Sequence, residues 1–364
     1  MNILFFQNCI SPHQMPYIEY LPYFKEINDI VIIVPEADLE TRKNMGWNTT
    51  ASLNIPNVRI IIKPSLSQIE DLYKQYSGRN TWCMYSGINS FSFISKCFKL
   101  SLKYSIRRGI ITEPPFIYKH PLWQHAIRFL IKDYKYIKYI DKLFVMGNDY
   151  IKYYRFWSSH WEVIPFIYCT KWIERKINLN IINDNKLKIL YVGSLSHRKN
   201  VQLLLNASTA LNKQEKSSIH IGIIGDGEEK CNLEKIATAN KDIDIFFYGM
   251  KSMNTIPNIM EKYDILCLPS RHDGWGAVVN EALTLGLYVI CTNNCGSKYL
   301  IEQSNNKCGS IFKSDDITDL CNTLKNCIIK NEVIKSDVNN RIEWARNNIH
   351  GKIVAQYFIN KLKS

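Results

Sequence analysis

Short apolar runs rich in Ile, Val, Leu and Phe alternate with stretches of helical period along most of the chain. Runs of this length bounded by turn formers predict buried strands of parallel sheets, and the stretches between them predict crossover helices. In the first half the predicted strands are Ile3–Phe6, Ile30–Val34, Val58–Ile62, Thr81–Tyr85, Gly109–Thr112, Leu143–Met146 and Val163–Ile164. A polar interval at Asn178–Asn185 has no apolar period and predicts a hinge. The second half repeats the alternation, with strands at 188–192, 218–224, 243–248, 265–268 and 288–291 and helices at 201–211, 229–238, 255–263 and 277–285. Open sheets of this kind bind ligands outside the carboxyl ends of their strands, so the loops at 193–200, 225–228, 249–254 and 269–276 are expected to converge on one cleft.

Composition narrows the class. With 364 residues, 46% of them hydrophobic and 22% charged, the chain has room for two domains. No apolar stretch approaches the roughly 20 residues a membrane span needs. Met1–Phe6 lacks the basic flank and cleavage site of a signal peptide and reads as a first strand, which predicts a cytoplasmic protein. The 11 cysteines form no Cys-x-x-Cys pair and are expected to be reduced core thiols, and Cys291 and Cys295 lack companions for a zinc set.

The net charge of +13 points to an anionic partner such as nucleic acid, an acidic membrane face or a phosphorylated substrate. Eleven Lys or Arg residues against three acids lie between Lys96 and Lys142, interleaved with aromatics such as Phe98, Tyr104, Trp123 and Tyr134. That mixture suits a lipid headgroup region, where basic tips meet phosphates. A solvated Lys-rich helix face is the plainer reading. His120 and His125, within the stretch, are assigned to a surface helix.

The most informative segment runs from Pro269 to Leu283, where a buried strand ends in the loop Ser270-Arg271-His272-Asp273-Gly274-Trp275-Gly276-Ala277 and a helix opens. Backbone N–H groups and the positive helix end can face an anionic ligand there. On a continuous helix Asp273 and Glu281 would stand about 12 Å apart, wider than the paired carboxylates of glycoside hydrolases. They therefore suit two ends of one extended ligand.

The Asp-x7-Glu element, with Ala282-Leu283-Thr284-Leu285-Gly286 and the strand Leu287–Ile290, resembles the Glu-x7-Glu signature of family 4 retaining glycosyltransferases. Gly193-Ser194-Leu195-Ser196-His197-Arg198-Lys199-Asn200 is similar to that family's donor-phosphate loop, Phe247-Tyr248-Gly249 to the strand end near the nucleotide base, and Tyr263–Ser270 to the run entering the acidic motif. The resemblance covers about residues 188–312. It implies an α/β fold of the GT-B class, two Rossmann-like doubly wound domains facing across a cleft. Residues 1–175 would bind the acceptor, 186–345 the nucleotide sugar, and 346–364 would form a helix packing back toward the first domain.

Roles follow from the resemblance. Glu281 would accept hydrogen bonds from the ribose hydroxyls, Asp273 would contact the transferred sugar, and Lys199 would neutralise the diphosphate together with the N–H groups of Gly274 to Ala277. Gly193 and Ser194 would line the phosphates, and Trp275 and Gly276 would sit in the helix mouth. No metal and no cofactor beyond the donor is expected. The family commonly has Arg where this chain has Ser194, and Arg198 is the substitute cation; Asp273 replaces a Glu, which bears on donor identity. In the first half, His13 after the first strand and Glu113 at the end of Gly109–Thr112 are the cleft candidates, each also readable as a turn residue or cap.

Other motifs are weaker. Gly225-Asp226-Gly227-Glu228-Glu229-Lys230 lacks the third glycine of a dinucleotide loop and carries acids that would repel a pyrophosphate, so it is assigned to the cleft edge with base or sugar contacts. Asp242-Ile243-Asp244 leads into a strand and is assigned to solvation. The expected activity is transfer of a hexose-type sugar from a nucleotide-diphosphate sugar to a polyprenyl-diphosphate-linked saccharide at the cytoplasmic face of an anionic membrane, in surface polysaccharide assembly. The competing readings are a catalytically silent nucleotide-sugar-binding subunit and a GT-B enzyme acting on nucleic acid; no nucleic-acid partner is expected, because no recognition motif is visible.

Overall fold

The computed structural model describes residues 1–37, 55–78, 80–89, 91–114, 121–157, 160–175, 186–215, 219–240 and 243–364. The predicted hinge at 178–185, together with Lys119, His120 and Asp242, lies outside the described residues. The chain forms two units, Met1–Lys171 with Ile349–Ser364, and Trp172–Asn348.

The first unit holds a parallel sheet of β1 (Asn2–Phe6), β2 (Asp29–Val34), β3 (Arg59–Ile62), β4 (Thr81–Ser86), β5 (Arg107–Thr112), β6 (Lys142–Met146) and β7 (Glu162–Phe166). Their order is β3-β2-β1-β4-β5-β6-β7. Phe6 stands opposite Ile33 on one side and Tyr85 on the other. β1, β2 and β4 are buried on both faces, which is why they read as unbroken apolar runs. On one face Leu4, Phe6, Tyr73, Tyr85 and Phe98 form the core. On the other, the helix Gly351–Lys363 places Phe358 against Phe5, Tyr17, Phe144 and Phe166. A side chain at Gly351 would collide with the carbonyl of Pro16, so only glycine lets that helix begin where it does. β7 runs past the predicted Val163–Ile164 and includes Pro165, tolerated because β7 is an edge strand pairing with β6.

The second unit holds β8 (Leu187–Val192), β9 (Ile219–Ile224), β10 (Asp244–Gly249), β11 (Ile265–Leu268), β12 (Tyr288–Thr292) and β13 (Gly309–Phe312), in the order β10-β9-β8-β11-β12-β13. β13 was not anticipated, because Gly309-Ser310-Ile311-Phe312 offers only two apolar residues in succession. The helix expected over 255–263 spans Ile256–Met260, since the following N–H groups of Lys262 and Tyr263 reach back three residues instead of four. In each sheet the chain reverses its direction of growth once, between β1 and β4 and between β8 and β11. Such switch points leave a crevice at the carboxyl ends of the strands.

Candidate active site

At the second switch point, β8 turns at Gly193 and β11 leads into the loop 269–277. The loop 225–229 backs the first of these: Leu195 N–H donates to the Asp226 carbonyl at 2.9 Å, and Glu229 N–H to the Leu195 carbonyl at 2.9 Å. A Cβ on Gly225, whose φ is +142°, would run into the Gly193 carbonyl, so this close approach requires glycine. The Asp226 carboxylate accepts from Lys230 Nζ at 3.0 Å and from Gly227 N–H at 2.8 Å, which together lower its pKa. The loop thus braces the phosphate-loop candidate. Gly249 closes β10, and its carbonyl accepts from Gly225 N–H at 3.0 Å.

The loops after β8 and β11 are tied by Arg271, whose N–H donates to the Arg198 carbonyl at 2.8 Å and whose guanidinium reaches the His197 carbonyl. This brings Lys199 Nζ into an ion pair with Asp273 in which each side chain is only 13% exposed. Arg198 Nη1 lies 4.0 Å from the other Asp273 oxygen and donates to the His272 carbonyl at 2.8 Å. Two cations therefore flank one carboxylate. Ser194 stays beside them, with Oγ 3.5 Å from Ser196 Oγ and its carbonyl accepting from Tyr191 OH at 2.8 Å.

Asp273 is not part of a helix. Its N–H donates to the Asn294 carbonyl at 3.1 Å and its carbonyl accepts from Gly296 N–H at 3.0 Å, forming a bridge with the loop after β12. Gly274 follows it, and Gly276 adopts φ +85° against Leu268 and Cys295. The helix starts only at Val278, capped by Ala277, so the 12 Å separation expected of a continuous helix does not apply. Glu281 sits in its first turn, half-buried, and burial pushes its carboxyl up to about 7. Trp275 is buried, and its indole N–H donates to Asn280 Oδ1 at 2.7 Å.

Sequence reasoning passed over two neighbours. His272 is buried beside Asp273, and burial lowers its pKa. Tyr191 is buried beneath the phosphate-loop candidate, its pKa raised by burial and by Asp273. Cys291 and Cys295 are both buried thiols, and Cys295 Sγ donates to the Trp275 carbonyl at 3.2 Å. Among the described residues no group of three or more His, Cys, Asp or Glu is placed to hold a metal ion.

At the first switch point lies a cavity of about 550 Å³. Glu113 borders it and accepts from Tyr168 OH at 3.0 Å. The ring of His13 packs 6.0 Å from that of Tyr168, while the His13 carbonyl accepts from Cys169 N–H at 2.9 Å. Tyr168 thus links the two candidates, although it stands 55 residues from Glu113 in sequence. His125 borders the cavity from the helix Leu122–Lys132.

The basic stretch is less uniform than its sequence implies. Arg108 is buried, donating to the carbonyls of Ser101 and Tyr104, and buried Lys142 pairs with Glu162 at 2.7 Å. Helix Leu122–Lys132 buries none of its residues, and Trp123 (61%) and Ile131 (70%) stand exposed among the remaining bases. Among the described residues no helix is long and apolar enough to cross a membrane.

Residues 173–347 match the family described as glycosyl transferases group 1. A protein of the Klebsiella pneumoniae cps region is 31% identical over 119 residues, which is 33% of this chain and 31% of that protein. The lipopolysaccharide glucosyltransferase WaaG of Escherichia coli is 23% identical over 214 residues, covering 56% of this chain and 54% of its own. The chain thus spans between a third and about half the length of these curated relatives. The crystal structure of Anabaena Alr3699/HepE in complex with UDP superposes over the full length of both chains with a TM-score of 0.71 at 16% identity, which shows the fold. The chain therefore has an α/β fold of two Rossmann-like units, and the glycosyl transferases group 1 match lies within the second of them.

Proposed function

We propose that this chain transfers a hexose-type sugar from a nucleotide-diphosphate sugar to a hydroxyl of a saccharide acceptor, with retention and without a metal. The observation that carries the reading is the meeting of Lys199, Arg198 and Asp273 with the helix mouth before Glu281 at one switch point. A departing nucleoside diphosphate gathers negative charge. An ammonium, a guanidinium and backbone N–H groups aimed at it supply the stabilisation that a divalent metal gives elsewhere.

In this reading the diphosphate takes Lys199 from Asp273, and the released carboxylate turns to the sugar hydroxyls. Glu281 binds the ribose hydroxyls in its charged form. Because burial holds its carboxyl near 7, donor affinity falls as the pH drops below that value. Retention is assigned to same-face attack guided by the leaving diphosphate, with no side chain as nucleophile.

The first unit receives the acceptor, with Glu113 and His13 near the reacting hydroxyl. A relative in lipopolysaccharide synthesis and one in a cps region favour surface polysaccharide as the product. The exposed apolar side chains of helix Leu122–Lys132 beside Arg128, Lys132, Lys135 and Lys138 favour an anionic membrane surface and a polyprenyl-diphosphate-linked acceptor.

The test is thermal stabilisation by UDP-, GDP-, ADP- and dTDP-sugars in EDTA, with UDP-sugars first because the similar Anabaena structure holds UDP. Stabilisation by one donor, lost in Glu281→Ala, is expected. No response to any donor overturns the reading. Flotation with vesicles tests the membrane assignment separately, which fails if binding ignores anionic lipid.

A further inference from the structure

We infer that the cavity of the first unit seats a neutral hexopyranose ring, read by the amide side chains of Gln7 and Gln14; this rests on the first unit being the acceptor side.

The cavity lies at the carboxyl ends of β1, β4 and β5 and has the size of a small-molecule site. Gln7, directly after β1, borders it and is 1% exposed. Its Nε2 donates to Gln14 Oε1 at 2.8 Å, an orientation that leaves Gln7 Oε1 buried without a protein donor. A buried amide oxygen in that state bears an uncompensated desolvation cost. A ligand hydroxyl reaching it would remove the cost. Primary amides both donate and accept, as hydroxyls do, and carry no charge. An amide pair lining a cavity is therefore suited to a polyol.

Another part of the lining is aromatic. Trp161 packs against Phe129 and Tyr154 with centroid separations of 6.1 and 6.4 Å, and all three border the cavity. A pyranose has an apolar C–H face and a hydroxyl-bearing edge, matching a site with aromatics on one side and amides on another.

Charge decides between a neutral and an acidic sugar. Glu113 is held by Tyr168 OH, and Asp133 by Asn89 Nδ2 beside Arg128. With His125, these are two carboxylates against two basic groups, each carboxylate already partnered. Among the described lining residues the acidic and basic groups balance in number, which offers a uronate or phosphate no net positive charge.

The experiment titrates the full chain with methyl D-gluco-, D-galacto- and D-mannopyranosides, methyl D-glucuronide and glycerol phosphate. Binding is followed by tryptophan fluorescence and saturation-transfer NMR. At least one neutral hexoside is expected to saturate in the millimolar range. Gln7→Met should weaken it about tenfold or more, the worth of one hydrogen bond to a buried group, without altering stabilisation by UDP. Gln14→Met makes the same test if Gln7→Met fails to fold. Equal binding of glucuronide or glycerol phosphate, hexoside binding unchanged in both variants, or no hexoside binding beside a normal UDP response overturns the assignment. Hexoside binding through Gln7 without any nucleotide-sugar response upholds the cavity and overturns the transferase reading.

Discussion

The two units place their candidate sites at the same point of similar sheets yet build them from opposite materials. In the second unit, the site is made of charge: Lys199, Arg198 and Asp273 come from two loops, locked together by Arg271. In the first, it is a cavity of amides and aromatic rings, in which Gln7 and Trp161 come from distant parts of the chain. A diphosphate is much the same in every nucleotide sugar, and a few cations at fixed spacing suffice for it. A ring of hydroxyls is distinguished by shape, which needs walls.

The largest expected effect separates the two sites directly. Lys199→Ala should lower transfer by about 10²–10³-fold, as loss of a principal charge-stabilising donor does, while hexoside binding at the first unit is retained. It should also lower Tm, because Asp273 would remain largely buried with only the more distant Arg198 guanidinium to offset its charge. Lys199→Ala with Asp273→Ala should recover stability and not activity, whereas recovered turnover would remove Lys199 from the chemistry.

Glu281→Gln comes next, weakening donor binding roughly ten- to a hundredfold, the scale of hydrogen bonds to a charged group. Its pH dependence carries the sign. Folding favours the neutral form of Glu281, so the native state gives up stability as pH rises from the ordinary carboxylate range through about 7. Glu281→Gln should therefore raise Tm at pH 8 and leave it nearly unchanged at pH 4, as calorimetry at the two pH values would reveal. An identical shift at both would sever the link to burial.

Smaller effects address the outer face of the helix that walls the cavity. Trp123→Ser with Ile131→Ser should reduce binding to anionic vesicles about tenfold, with stability changed by roughly 0.5 kcal/mol or less, since both side chains are exposed. Vesicle binding that survives the double change moves the membrane contact elsewhere. Arg198→Ala is expected to weaken donor binding only about threefold, because its guanidinium is a third exposed and stands 4.0 Å from Asp273. A loss as deep as that of Lys199→Ala would make it the full replacement for the cation missing at Ser194.

The same contrast explains what could be read in the sequence. Strands buried on both faces announce themselves as apolar runs, so β1, β2, β8 and β11 were legible within a residue or two. β13 was not, because its apolar content is too short to stand out. Lys199 and Asp273 lie in two loops and Glu281 in the helix that follows the second, each within a contiguous motif of recognisable spacing, and the fold brings the first two into contact. Gln7, Asp133 and Tyr168 are single polar or aromatic residues without a motif, joined only by the order in which strands line up. Gly225 was visible as part of a glycine-rich loop, but the reason for it, a neighbouring carbonyl where a side chain would be, exists only in three dimensions.

The helix that carries Phe358 has a bearing on how the molecule is made. Phe5, Tyr17, Phe144 and Phe166 belong to residues 1–171, but the ring that covers them is supplied from beyond the whole second unit. Translation proceeds at about 5–20 residues per second, so on the order of ten seconds or more passes between synthesis of that aromatic face and arrival of its cover. Throughout this interval the nascent chain lacks the cover of that apolar layer, a surface prone to aggregation. Expressed alone, residues 1–171 should aggregate, and co-expression with residues 349–364 as a separate peptide should improve their recovery. The unit begun first is finished last.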